Sequence, residues 1–171
     1  QGVSSAASDV YKRQVHNRHR NLLVAATGTG KTVVAALDYK RLRTSDADQP
    51  TILFVAHRKE ILEQSLRTYR DVLKDGAFGE LFVDGRKPVR RRHVFASIQS
   101  LQQAGELERW AGDHFDVIVI DEFHHAEAAT YRKVLDYFTP RELLGLTATP
   151  ERSDGVDAVS YTHLRAHETK A

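Results

Sequence analysis

Four consecutive β-branched residues, Val117-Ile118-Val119-Ile120, run straight into two carboxylates, Asp121 and Glu122. A strand half-exposed to water alternates apolar and polar side chains, and this one has no polar face. It is therefore buried on both sides, as strands are in a sheet covered by helices. The carboxylates then emerge at the carboxyl edge of the sheet, where α/β proteins gather their ligands. Upstream, Asn21-Leu22-Leu23-Val24-Ala25 predicts a second buried strand, ending in a Gly/Thr turn. After that turn, residues 31–43 carry apolar side chains at Val33, Val34, Leu37 and Leu42, compatible with a helix.

The rest of the chain keeps this alternation. Residues 51–56, 79–83, 93–96, 115–120 and 142–146 predict strands, and residues 59–73, 100–110 and 128–138 predict helices. There is no internal repeat and no low-complexity tract. Apolar strands interleaved with amphipathic helices imply an α/β domain: a three-layer sandwich around a mostly parallel central sheet. The 171 residues suffice for one such domain, and 41% hydrophobic residues can fill its core. No cysteine is present, which excludes disulfides and thiolate metal sites. No apolar run approaches the roughly 20 residues of a membrane helix, so no membrane partner is expected and the cytoplasm is the expected location.

The two ends read differently. Asp9-Val10-Tyr11-Lys12-Arg13-Gln14 can be encoded by GAT GTG TAT AAG AGA CAG. The reverse complement of that DNA, in a shifted frame, encodes Val159-Ser160-Tyr161-Thr162-His163 and opens a Leu164 codon. One inverted sequence thus accounts for both ends, and it resembles the transposon end used in sequencing-library preparation. Residues 1–14 and 158–171 are therefore expected to be translated adaptor, with 15–157 the genuine, truncated domain. The absence of methionine fits a fragment. Of the 25 Lys+Arg and 23 Asp+Glu, four and two lie in those ends, so the formal +2 comes entirely from them. The basic pI is thus no argument for nucleic-acid binding.

The chemistry-bearing residues lie at strand ends. Thr27-Gly28-Thr29-Gly30-Lys31-Thr32 follows a strand and opens a helix, as a phosphate loop must. Gly28 and Gly30 let the backbone curl its N–H groups toward phosphate, and the helix start adds partial positive charge. Lys31 is the candidate for the β- and γ-phosphates, and Thr32 for Mg²⁺. Asp121 is the second Mg²⁺ candidate, and Glu122 the group that polarises an attacking water. An isolated Asp-Glu pair would be read as a helix cap. Behind an apolar strand, in a chain with a phosphate loop, it points to nucleotide hydrolysis.

Together, Ala25-x-Thr27-Gly28-x-Gly30-Lys31-Thr32, Asp121-Glu122-x-His124 and Thr147-Ala148-Thr149-Pro150 resemble motifs I, II and III of the superfamily 2 helicases. The spelling is similar to the type III restriction-enzyme and DEAD/DEAH-box group. The resemblance implies a RecA-like P-loop NTPase fold and ATP with Mg²⁺ as cofactors. It implies that His124 senses the γ-phosphate and couples it to the nucleic-acid face. It also implies that Thr147 and Thr149 link ATP state to domain movement. The segment around Arg58 resembles a nucleic-acid motif, as does the one holding Ser97 and Gln99. These imply backbone contacts that position a strand without reading sequence. The expected partners are nucleic acid, DNA before RNA, and a second RecA-like domain in the same protein. The alternatives are the motor subunit of a restriction complex, or a nucleotide-gated binding protein that does not unwind. Arg86, Lys87, Arg90, Arg91 and Arg92 read first as a solvated basic loop. His16, His19, His93 and His114 show no metal-ligand grouping, and Trp110 reads as a packing residue.

Overall fold

A computed structural model describes residues 20–26, 28–45, 49–123 and 129–148. Six strands form one sheet: β1 (Arg20–Val24), β2 (Ile52–Ala56), β3 (Glu80–Phe82), β4 (His93–Ser97), β5 (Val117–Ile120) and β6 (Glu142–Thr147). The helices are α1 (Lys31–Ser45), α2 (Lys59–Leu73), α3 (Ile98–Leu101) and α4 (Ala129–Tyr137), with a 3-10 turn at Leu107–Arg109. The strand order is β1-β6-β5-β2-β4-β3, and every pairing is parallel.

The unbroken apolar strands are explained by what they separate. In β5, Val117 and Val119 face one core, shared with Tyr39 of α1 and Leu62 of α2. Ile118 and Ile120 face the other core, shared with Val134 of α4 and Phe115. Side chains alternate across a strand, so covering both faces demands apolar residues at every position. The result is the expected three-layer α/β sandwich.

Two elements depart from the sequence pattern. The helix expected over residues 100–110 is a single turn, Ile98–Leu101, followed by turns and the 3-10 segment. Ser97 starts that turn early by accepting a hydrogen bond from the Ser100 N–H at 3.1 Å. Gly105 then takes a left-handed backbone at φ +75°, which ends helical continuation. Helix α1 forms as expected and buries part of the expected stripe, Val34 with Leu42 packed against the core, but it is rotated away from Val33 and Leu37. Val34, Ala35, Ala36 and Tyr39 are inside, while Val33 and Leu37 are 42% and 51% exposed. Tyr39 fixes this rotation, because its hydroxyl donates to the Pro50 carbonyl at 2.6 Å.

The basic loop is tethered. Glu80 accepts three backbone N–H bonds, from Val89, Arg90 and Arg91, at 2.9, 3.1 and 2.9 Å. Arg90 and Arg92 donate to the carbonyls of Ala77 and Gln49, each at 3.0 Å. Arg91 lies over the Trp110 ring, 5.3 Å from its centroid. Trp110 packs as expected, 5% exposed and against Phe115.

His93, at the start of β4, stacks on Phe78 with centroids 4.5 Å apart. Burial, then Arg92 and Arg43, push its pKa down from 6.5 to about 4. The unfolded chain therefore binds more protons than the folded one between those values. Stability is full above pH 6.5 and falls as pH drops toward 4. Replacing His93 by phenylalanine is expected to remove about 1 kcal/mol of that acid-side loss, after discounting for partial solvent exposure. Urea midpoints measured across this pH range check it.

A candidate nucleotide site and its neighbouring polar edge

The loop after β1 is shaped by its glycines. Gly28 and Gly30 sit at φ +80° and +82°. A Cβ at Gly28 would meet nothing within 4 Å, so backbone conformation rather than space requires glycine there. Thr29 closes the turn, its hydroxyl donating to the Ala26 carbonyl at 2.6 Å. The Gly30 carbonyl accepts from the Val34 N–H at 3.0 Å, which opens α1 directly behind the loop. The Lys31 ammonium lies across the loop and donates to the carbonyls of Ala25 and Ala26 at 2.7 and 3.1 Å. A cation held against a helix N-terminus is a site for phosphate.

Register brings the acidic turn beside this loop. Val24 pairs with Thr147, and Ile120 pairs with Gly145, so β6 alone separates β1 from β5. The Ala25 N–H donates to the Thr147 carbonyl at 3.0 Å, tying the loop's first residue to the end of β6. Thr147 itself is buried. On the far side of β5, the Asp121 N–H donates to the Val55 carbonyl at 2.9 Å. Asp121 accepts the Glu122 N–H at 2.9 Å. Asp121 and Glu122 are half-buried at the carboxyl edge, as expected. Thr27, His124 and Thr149 lie outside the described residues.

Two features of the turn go beyond what its motif spells out. Glu122 has a left-handed backbone, φ +53°, which costs a non-glycine residue about 1 kcal/mol or more. Phe123 is buried against Gly145, where an added Cβ would lie 2.5 Å from the ring. That glycine is therefore the floor on which the acidic turn rests. Gly145 interrupting the leucines at 143, 144 and 146 was the available signal, because such a glycine marks close approach of another group.

The residues proposed for nucleic acid lie next along the same edge. Ala56 of β2 pairs with Ser97 of β4, which places His57 and Arg58 beside Gln99. Arg58 is exposed at the start of α2 with an extended backbone, and no side-chain hydrogen bond caps that helix. The Gln99 amide is 3.0 Å from His57 Nδ1, and both residues are exposed. Ser97 differs: it is 4% exposed, and its hydroxyl is engaged with Ser100 Oγ at 2.9 Å. Its short, buried side chain caps α3 instead of facing outward. The carboxyl edge thus runs from phosphate loop to β6, acidic turn, Arg58 and Gln99.

Known proteins resemble this chain in sequence and in fold. The chain is 35% identical over 155 residues to the type I restriction enzyme EcoAI endonuclease subunit of Escherichia coli, covering 85% of this chain and 18% of that protein. It is 30% identical over 137 residues to the DNA 3'-5' translocase XPB2 of Sulfurisphaera tokodaii, covering 80% of this chain and 28% of that protein. The chain thus spans less than a third of the length of these relatives. The crystal structure of the UvsW helicase from bacteriophage T4 superposes with a TM-score of 0.72 at 18% identity, over 92% of this chain and 56% of that one. At that identity the likeness establishes the fold, a RecA-like core. Residues 4–152 match the family described as type III restriction enzyme, res subunit, and the chain belongs to that family.

Proposed function

We propose that this chain forms the ATP-binding half of a motor that couples Mg-ATP hydrolysis to movement along nucleic acid. The observation that carries this reading is the register setting the phosphate loop and the acidic turn one strand apart on one sheet edge. Lys31 and the loop N–H groups take the phosphates. Thr32 and Asp121 supply hard oxygen donors, which fit Mg²⁺. Among the described residues no group of three or more His, Cys, Asp or Glu could cage a metal. Mg²⁺ in nucleotide sites is bound by one or two protein oxygens together with the substrate's phosphates. When bound, Mg²⁺ supplies charge neutralisation for the triphosphate. Glu122 orients water for attack on the γ-phosphorus and takes its proton as the bond to ADP breaks.

DNA is favoured over RNA by the similarity to a DNA translocase and to a restriction endonuclease subunit. Arg58 and Gln99 are the candidate backbone contacts. His124, Thr147 and Thr149 couple the ATP state to that face. A second RecA-like domain completes the ATP site and closes on the strand. The similarity to the EcoAI subunit supports a second, narrower reading as the motor of a restriction complex.

Titration of Mg-ATP into this chain tests the reading. Weak binding and negligible turnover are expected, with or without DNA. Absence of any nucleotide binding overturns the ATP site. Robust DNA-stimulated turnover by this chain alone overturns the need for a second domain.

A further inference from the structure

Among the described residues, four buried side-chain atoms have no hydrogen-bond partner: Asn21 Oδ1, the Tyr69 hydroxyl, Trp110 Nε1 and the Tyr131 hydroxyl. Leaving such a group unsatisfied costs about 1–3 kcal/mol, so each needs a reason. Tyr131 is distinguished by its position. It lies on α4, the helix that follows the acidic turn, and is 3% exposed. It shares a core cluster with Ile120 and Phe123, the residues that flank Asp121 and Glu122. Burial pushes its phenol up to about 12, and the carboxylates of Glu122 and then Asp121 push the same way. The hydroxyl therefore stays protonated at working pH, a donor within the electrostatic influence of two carboxylates. Beside it, Glu122 holds its left-handed backbone. An unmade buried hydrogen bond and a left-handed carboxylate backbone thus occur in neighbouring parts of one core.

We propose that Tyr131 is a positioning residue for Glu122, its buried hydroxyl donating to the Glu122 carboxylate when the acidic turn takes its working conformation. The bond aims the carboxylate at the attacking water. It also couples the turn to α4, so that helix position reports on the state of the ATP site. The proposal rests on the ATPase reading above and deepens it.

The test is Tyr131→Phe in the full-length protein, which keeps the ring and deletes only the hydroxyl. Wild type and Glu122→Gln are assayed beside it. The expected kcat for ATP hydrolysis falls about threefold to tenfold, the loss of one hydrogen bond, with KM for ATP unchanged. The melting temperature holds or rises, since an unsatisfied hydroxyl has been removed from the core. An unchanged kcat overturns the proposal, and so does a loss that appears in KM instead of kcat. So does a fall in kcat matched by a fall in melting temperature, which marks a purely structural tyrosine. A wild-type protein that does not hydrolyse ATP overturns the underlying ATPase reading, and is distinguishable because Glu122→Gln then changes nothing either.

Discussion

In the full-length protein, Glu122→Gln is expected to leave ATP bound and to reduce its hydrolysis by about 10²- to 10⁴-fold in kcat. The exchange keeps the shape of the side chain and removes its ability to accept a proton. Neither residue is glycine, so the left-handed backbone at position 122 costs both about the same and the turn is retained. The groups proposed to bind ATP lie elsewhere: Lys31 on α1 and the N–H groups of the loop after β1. Binding and turnover should therefore separate, with ATP affinity near that of wild type and phosphate release lost. A variant that loses binding as well would mean that Glu122 holds the nucleotide or the fold. A variant with wild-type turnover would remove Glu122 from the chemistry.

Gly145→Ala is expected to destabilise the domain by about 1–3 kcal/mol and to impair hydrolysis with it. An added Cβ would lie 2.5 and 2.7 Å from Phe123 ring atoms and 2.9 Å from Leu22 Cδ1. The Phe123 ring is flat, stiff and buried, so it cannot turn aside as the end of a long side chain would. Its backbone must move instead, and Glu122 is the adjacent residue. Urea unfolding gives the stability, and phosphate release gives the activity. Phe123→Leu makes room, so the double variant should be more stable than the sum of the two single changes predicts. Strict additivity would show that the two sites are uncoupled.

The sequence revealed the parts better than their assembly. The strands were legible because burial on both faces leaves no polar position in Val117–Ile120 or Ile52–Ala56. The phosphate loop was legible because positive φ at positions 28 and 30 requires glycine. Strand order was not legible. Periodicity does not say that β6 lies between β1 and β5, yet that insertion brings Thr147 to Ala25 and Gly145 to Phe123. Local hydrogen bonding also overrode pattern. Ser97 reads as an outward donor in a strand-to-helix motif, but a serine beside a helix start finds the N–H two or three residues on. In α1, the apolar spacing at Val33 and Leu37 was outweighed by the close approach that Ala35 and Ala36 allow and by the Tyr39 anchor. Tyr131 was invisible as anything but a helix residue, because its meaning lies in a bond it does not make.

The central claim is that the loop after β1 and the turn after β5 form one ATP site. A crystal structure of the protein with Mg²⁺ and a non-hydrolysable ATP analogue tests it most directly. The account predicts the β- and γ-phosphates within hydrogen-bond reach of Lys31 and the loop N–H groups, Mg²⁺ on the Thr32 and Asp121 oxygens, and Glu122 facing the γ-phosphorus. A nucleotide bound away from the carboxyl edge, for instance in the open cavity of about 490 Å³ lined by Arg43, Arg90, Arg92 and His93, would contradict it.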